Sequence, residues 1–209
     1  MQINSLIGEQ IQESIAVNAQ LLRTHEIAIA QIAAAILETL RAGKKVLLFG
    51  NGGSAADAQH IAAELVGRYQ TERTALPALA LTTDTSVLTA VGNDYGFEEV
   101  FARQITALGS SGDLALAIST SGNSLNVLKG VAAAKRAGMK TIGFTGRQGG
   151  ELKHLVDHCL CVPSDTTARI QEAHGLVGHI ISCIVERAYL GGTEPQKKEF
   201  AAVQGGEKA

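Results

Sequence analysis

Apolar residues recur at two different periods along this chain, and the change of period divides it. Over residues 5–42, Ile7, Ile11, Ile15, Leu21 and Leu22 form one apolar series, and Ile27, Ile29, Ile32, Ile36, Leu37 and Leu40 form another. Both follow helical spacing. The polar stretch Arg23-Thr24-His25 predicts a break between two helices, and Gly43 is the expected C-cap. Beyond it come short unbroken apolar runs at 45–49, 78–81, 114–118, 141–144 and 159–162, the pattern of parallel strands buried on both faces. Helical stretches at 54–69, 123–137 and 167–189 lie between or after them. Such alternation predicts βαβ units with right-handed crossovers, hence an α/β fold with a doubly wound, five-stranded parallel sheet. The expected layout is an N-terminal helical region (1–42) packed on one domain (43–190), then a mobile tail (191–209) without periodicity.

Composition narrows the function. Hydrophobic residues make up 45% of the 209 and charged residues 18%, which excludes a disordered chain. With 4% aromatics and no Trp, the core must be aliphatic. A net charge of −2 and few rings for base stacking argue against nucleic-acid binding. An odd cysteine count (Cys159, Cys161, Cys183) without a CxxC pair argues against a disulfide framework or zinc knuckle. Cys159 and Cys161, two apart in a strand, are expected on one face as small apolar fillers. The absence of an opening leader pattern or an apolar run long enough to span a bilayer makes the expectation a cytoplasmic protein with no membrane partner.

Two strands lead into loops of unusual composition: Gly50-Asn51-Gly52-Gly53-Ser54 and Ser119-Thr120-Ser121-Gly122-Asn123-Ser124. In open α/β sheets, ligands collect outside the carboxyl ends of strands, where helix N-termini direct free N–H groups at an anion. Glycine permits close backbone approach, and hydroxyls rotate to donate to phosphate oxygens. One Gly-Gly-Ser turn is equally explained by turn and N-cap chemistry. Four hydroxyls within six residues after a second strand are harder to explain that way. No Lys follows the glycines as in a P-loop, and the spacing is not that of a dinucleotide fingerprint. The expected ligand carries a single phosphate.

On the helix after the first loop, His60 and Glu64 share a face, a donor pair suited to zinc or to a surface ion pair. The last helix adds Gln171, Glu172, His174 and His179 among apolar neighbours. Gln171 and His179 lie roughly 12 Å apart along a regular helix. Spacing alone therefore pairs Gln171 with His174, unless the helix is irregular or separate subunits supply the ligands.

Taken together, Asn51-Gly52-Gly53-Ser54, His60 and Glu64, Gly92-Asn93-Asp94, Ser119 to Ser124, and Arg169-Ile170-Gln171-Glu172 with His179 resemble the sedoheptulose-7-phosphate isomerases of the sugar isomerase (SIS) domain superfamily. The resemblance covers roughly residues 43–189 and the helical region before them. It implies a flavodoxin-like sheet, a homotetramer with sites at subunit contacts, and zinc on His60, Glu64, Gln171 and His179, with His179 in place of His174. It places the sugar phosphate on Asn51, Gly52, Gly53, Ser54, Glu64, Asn93, Asp94, Ser119, Thr120, Ser121, Ser124 and Gln171. The implied reaction converts sedoheptulose 7-phosphate to D-glycero-D-manno-heptose 7-phosphate through an enediol, with Glu64 as base and His179 as acid, early in lipopolysaccharide heptose synthesis. Asp94 either orients a hydroxyl or caps a helix. Ala168 stands where some members carry Asp, which affects finer contacts to sugar hydroxyls. A replication-initiator-associating relative shares the fold and loops but acts as a binding module. It lacks the counterparts of Glu64 and His179, and both are present here, so the reading is an enzyme rather than a binding module or sugar-phosphate sensor.

Overall fold

The computed structural model describes residues 3–191; of the expected tail, all but Gly191 lies outside the described residues. Five strands, β1 (Val46–Gly50), β2 (Ala78–Ala80), β3 (Leu114–Ile118), β4 (Lys140–Gly146) and β5 (His158–Val162), form one parallel sheet in the order β2-β1-β3-β4-β5. The doubly wound sheet is as the apolar runs predict, and its order is the flavodoxin one. The helices are α1 (Ile3–Arg41), α2 (Gly53–Val66), α3 (Thr85–Tyr95), α4 (Val100–Leu108), α5 (Leu125–Arg136), α6 (Leu152–Leu155) and α7 (Thr167–Leu190).

Successive strand residues point to opposite faces, and this splits the core in two. Val46, Leu48, Leu114, Leu116, Ile118 and Phe144 pack under α1, α2 and α7. Leu47, Phe49, Ala115 and Ala117 pack under α4 and α5. Each fully buried Leu, Ile or Phe side chain is worth about 1.5–3 kcal/mol of transfer free energy.

The expected break in the N-terminal region is not there: α1 is one helix of 39 residues. Its polar stretch holds neither Gly nor Pro. Arg23 and Thr24 simply occupy the solvent face, and the Thr24 hydroxyl donates to the Gln20 carbonyl one turn back at 2.8 Å. Gly43 does terminate the region, with φ 70° and its N–H on the Leu40 carbonyl. The apolar pattern does not single out α3, α4 or α6. Helix α3 has no buried residue, α6 is a single turn and α4 has nine residues, so none leaves a long stripe.

Strands β1 and β3 are neighbours, but the chain leaves β1 toward β2 and β3 toward β4. Between their carboxyl ends lies the topological switch point, flanked by the two loops singled out above.

Candidate active site

At the end of β1 the chain turns through Gly52, at φ 56°, into α2. Gly53 has no room for a side chain, because a Cβ there would stand 2.2 Å from Gln171 Nε2. Gln171, on α7, therefore lies against the first loop. Farther along, His60 on α2 meets His179 on α7, and Ile61 lies over Gly178, where a Cβ would stand 2.8 Å from the Ile61 side chain. The two helices thus run parallel and in step, and Gly178 permits the close approach that brings the histidines together.

The His60 and His179 Nε2 atoms are 3.0 Å apart, and His60 Nε2 is 3.1 Å from Glu64 Oε1. Donor atoms of all three lie within 4.8 Å of one another. The three fit a divalent cation: their 3.0 and 3.1 Å separations approach the edge, about 3.3 Å, of a tetrahedron with bonds near 2.0 Å. His60 is exposed while Glu64 and His179 are half-buried, so a ligand has access.

Sequence reasoning missed the residues that hold this group in place. Buried Arg73 donates to the carbonyls of Glu64 (2.6 Å) and Leu65 (2.8 Å), closing the C-terminus of α2 beneath the Glu64 side chain. Glu186 accepts the N–H groups of Tyr69, Gln70 and Thr71 at 2.8–2.9 Å and lies 3.7 Å from Arg73. Its burial would raise the carboxyl, but those N–H donors and the Arg73 charge outweigh it and hold the group below the usual carboxylate range. This anchors Tyr69, whose ring lies 5.8 Å from that of His179. Asp57, one turn before His60, lines the same recess with Gly175 and Gly178. Burial pushes its carboxyl up despite the nearby His60, and its Oδ2 has no protein partner. A charged Arg and Glu far from the motifs, in sequence only a loop and a late helix position, carried no readable signal.

The choice between the two late histidines is settled by burial. His174 faces the sheet, fully buried against Phe144, with Nε2–H donating to the Thr145 carbonyl at 3.1 Å. Burial lowers its pKa to about 4, more than that bond raises it. His179, not the His174 that spacing alone would pair with Gln171, is the histidine at the cluster. Gln171 itself is at the first loop, and its neighbour Glu172 is occupied by Arg169 at 2.6 Å.

The second loop is built to hold its shape. Ser119 and Ser124 hydroxyls lie 3.0 Å apart, and Ser121 Oγ accepts the Asn123 N–H at 3.2 Å. The Thr120 hydroxyl makes no protein hydrogen bond. Asn51 and Asn126 exchange two amide hydrogen bonds of 2.8 Å, tying the first loop to the first turn of α5. The Asn51 side chain is thus committed to that bridge, and Asn126 is a residue the motifs do not mark. Ser54 is buried behind its loop. Asn93 and Asp94, at the end of α3, bond each other at 2.8 Å and neither loop. The capping role belongs to Asp84, which accepts the Val87 N–H at 3.0 Å.

Fold and site together define the class: a flavodoxin-type α/β domain with anion-suited loops at its switch point and a three-donor cluster between α2 and α7. A family model described as the SIS domain matches residues 10–146. A phosphoheptose isomerase of Roseiflexus sp. (strain RS-1) is 57% identical over 179 residues, covering 86% of this chain and 91% of that one. The structure of phosphoheptose isomerase GmhA from Neisseria gonorrhoeae superposes with a TM-score of 0.85 at 44% identity, over 88% of this chain and 99% of that one. A phosphoheptose isomerase from Francisella tularensis gives 0.87 at 42%, over 90% and 100%. The chain belongs to the SIS domain family and, within it, to the phosphoheptose isomerases.

Proposed function

We propose that this protein converts sedoheptulose 7-phosphate to D-glycero-D-manno-heptose 7-phosphate in the cytoplasm, an early step toward ADP-heptose and lipopolysaccharide. The names of its relatives support the substrate. The observation that carries the reading is the convergence of Glu64, His60 and His179 within 4.8 Å, on two helices whose other ends reach the phosphate-suited loop.

The reaction moves a proton between C1 and C2. A proton next to a carbonyl is only weakly acidic, so a base must act while the developing oxyanion is stabilised. Glu64 presents Oε1 to His60 and leaves Oε2 without a protein partner, available to take the proton. His179, from the facing helix, is the acid that returns a proton. Nitrogen and oxygen donors of this kind suit zinc, held by His60, Glu64 and His179 with Gln171 as the proposed fourth ligand. Such an ion supplies an electrophile for the two substrate oxygens. The turn Asn51-Gly52-Gly53-Ser54, through its backbone, and the hydroxyls of Ser119, Thr120, Ser121 and Ser124 hold the phosphate end, while Asn93, Asp94 and Gln171 address sugar hydroxyls.

The assembly is proposed to be a homotetramer. Because α7 is unbroken from Thr167 to Leu190, Gln171 and His179 do not reach one ion from one subunit, which favours ligands crossing between subunits. Exposed Ile7, Ile11 and Ile15 on α1 and Leu176, Ile180 and Ile184 on α7 form apolar stripes suited to such contacts. A binding module or a sensor would bind sugar phosphate without turning it over. NMR of sedoheptulose 7-phosphate incubated with the protein separates the readings: the aldose product is expected, and an unchanged ketose would refute the proposal.

A further inference from the structure

The cysteines of β5 do more than fill space. Cys159 and Cys161 Sγ atoms are 3.7 Å apart on one face of β5, both partly exposed, and β5 is an edge strand paired only with β4. The hydrogen bond with Cys159 and the charge of Lys153 hold the Cys161 thiol down to about 7 against the opposing effect of burial, while the same hydrogen bond and burial push Cys159 up. Cys161, whose sulfur also meets the Gly149 turn beside Lys153, is the attacking thiol of the pair, and Cys159 the thiol beside it.

What lies over Cys161 matters as much. A Cβ on Gly149 would stand 3.0 Å from Cys161 Sγ and 2.6 Å from Lys153 Cβ, so sulfur and turn are in contact. The same turn backs the Ser119–Ser124 loop. A Cβ on Gly150 would stand 2.6 Å from the Ser121 carbonyl oxygen, and one on Gly122 would stand 2.0 Å from the Gly149 oxygen. Leu152 N–H donates to the Gly122 carbonyl at 2.9 Å, and Glu151 N–H to Asn123 Oδ1 at 3.0 Å. Apart from the short Asn123 amide, backbone meets backbone here with no side chain between to absorb movement. Arg147, at φ 57°, is the one non-glycine left-handed residue among those described, and it opens this turn.

We infer that Cys161 and Cys159 form an oxidation site for hydroperoxides whose closure loosens the second loop; its effect on the substrate rests on the reading of that loop as the phosphate grip. The Cys161 thiol gives its proton to solvent and the thiolate attacks a hydrogen peroxide oxygen: an S–O bond forms, the O–O bond breaks, and the departing hydroxide takes up that proton to leave as water. Cys159 sulfur then attacks Cys161 sulfur, the S–S bond forms, and the S–O bond breaks. The hydroxyl leaves as water with the Cys159 proton. Both sulfurs are oxidised by one electron, and the peroxide is reduced to two waters. Residues two apart in a strand have Cα atoms about 6.6 Å apart, at the far end of the roughly 4.4–6.8 Å that a disulfide spans, and the sulfurs must also close from 3.7 Å to about 2.05 Å. Closure therefore buckles β5 at Cys161 and withdraws the sulfur that supports Gly149.

The test treats the full-length protein with hydrogen peroxide, maps the cysteines by peptide mass, and follows amide hydrogen exchange. The expected result is loss of two hydrogens from the peptide holding Cys159 and Cys161, and exchange across 119–124 faster by about tenfold. Dithiothreitol reverses both, and neither occurs in Cys161→Ser. A pair that stays reduced under peroxide, or a closed pair with unchanged exchange across 119–124, overturns the inference. Sedoheptulose 7-phosphate binding, measured on the same samples, is expected to weaken on oxidation. If the reduced protein fails to bind it at all, the proposed function falls, while mass and exchange still decide this inference.

Discussion

Each side chain in the cluster is committed to a position by something outside it. Arg73 fixes the backbone of Glu64, Glu186 fixes Tyr69 beside His179, and Gly178 lets α7 approach α2. A metal held there depends on both histidines. Elemental analysis should find about one zinc per subunit in the wild-type protein and almost none in His60→Ala/His179→Ala; retained metal would remove this cluster as the site. At the grip, Ser119 braces Ser124 and Ser121 braces Asn123, so the double variant Ser119→Ala/Ser121→Ala loses struts as well as donors. Its KM for the phosphorylated ketose should rise by about tenfold or more, with a smaller effect on kcat. An unchanged KM would count against the loop as the phosphate holder.

Among the elements, α7 shows what a sequence can and cannot convey. Its apolar stripe and its polar set were both legible. Which histidine faces the site was not readable from spacing, because His174 and His179 both suit a helix and only the position of the sheet separates them. The Arg23-Thr24-His25 stretch misleads for a related reason: polarity marks a solvent face as readily as a break. The central strands β1 and β3 were readable because burial on both sides leaves no polar position in them, whereas α3, with no buried residue, left no stripe. His174 also sets a pH dependence. Its folded pKa, about 4, lies below the ordinary 6.5, so the unfolded chain takes up the proton first as pH falls. Stability is therefore intact above about pH 6.5 and drains away toward pH 4. Urea unfolding should show a loss of about 2 kcal/mol between pH 7 and pH 5 that is largely absent in His174→Leu. Equal pH dependence in the two proteins would contradict the assignment.

For the molecule as a whole, the first half of α1 extends past the core. From Ile3 to Ala16 no residue is fully buried, and Ile3, Ile7, Ile11 and Ile15 are each more than half exposed. Arg169 nonetheless holds this segment to the start of α7 through the Gln10 carbonyl. A motif set can name candidate ligands such as Gln171, Asn93 and Asp94 but not the subunit that would supply each, because subunit contacts leave no local pattern in one chain. If the stripe is an interface, Ile7→Glu/Ile11→Glu/Ile15→Glu should sediment as a smaller species with near-normal folded helix content. Wild-type mass for that variant would place the contacts elsewhere.

Proton transfer by Glu64, on carbons presented to the cluster, is the step on which the proposed isomerisation turns. It is tested most directly by turnover of sedoheptulose 7-phosphate, followed by NMR, in wild-type and Glu64→Gln proteins at matched metal content. Turnover is expected to fall by roughly a hundredfold or more in Glu64→Gln. Turnover near the wild-type rate would contradict it.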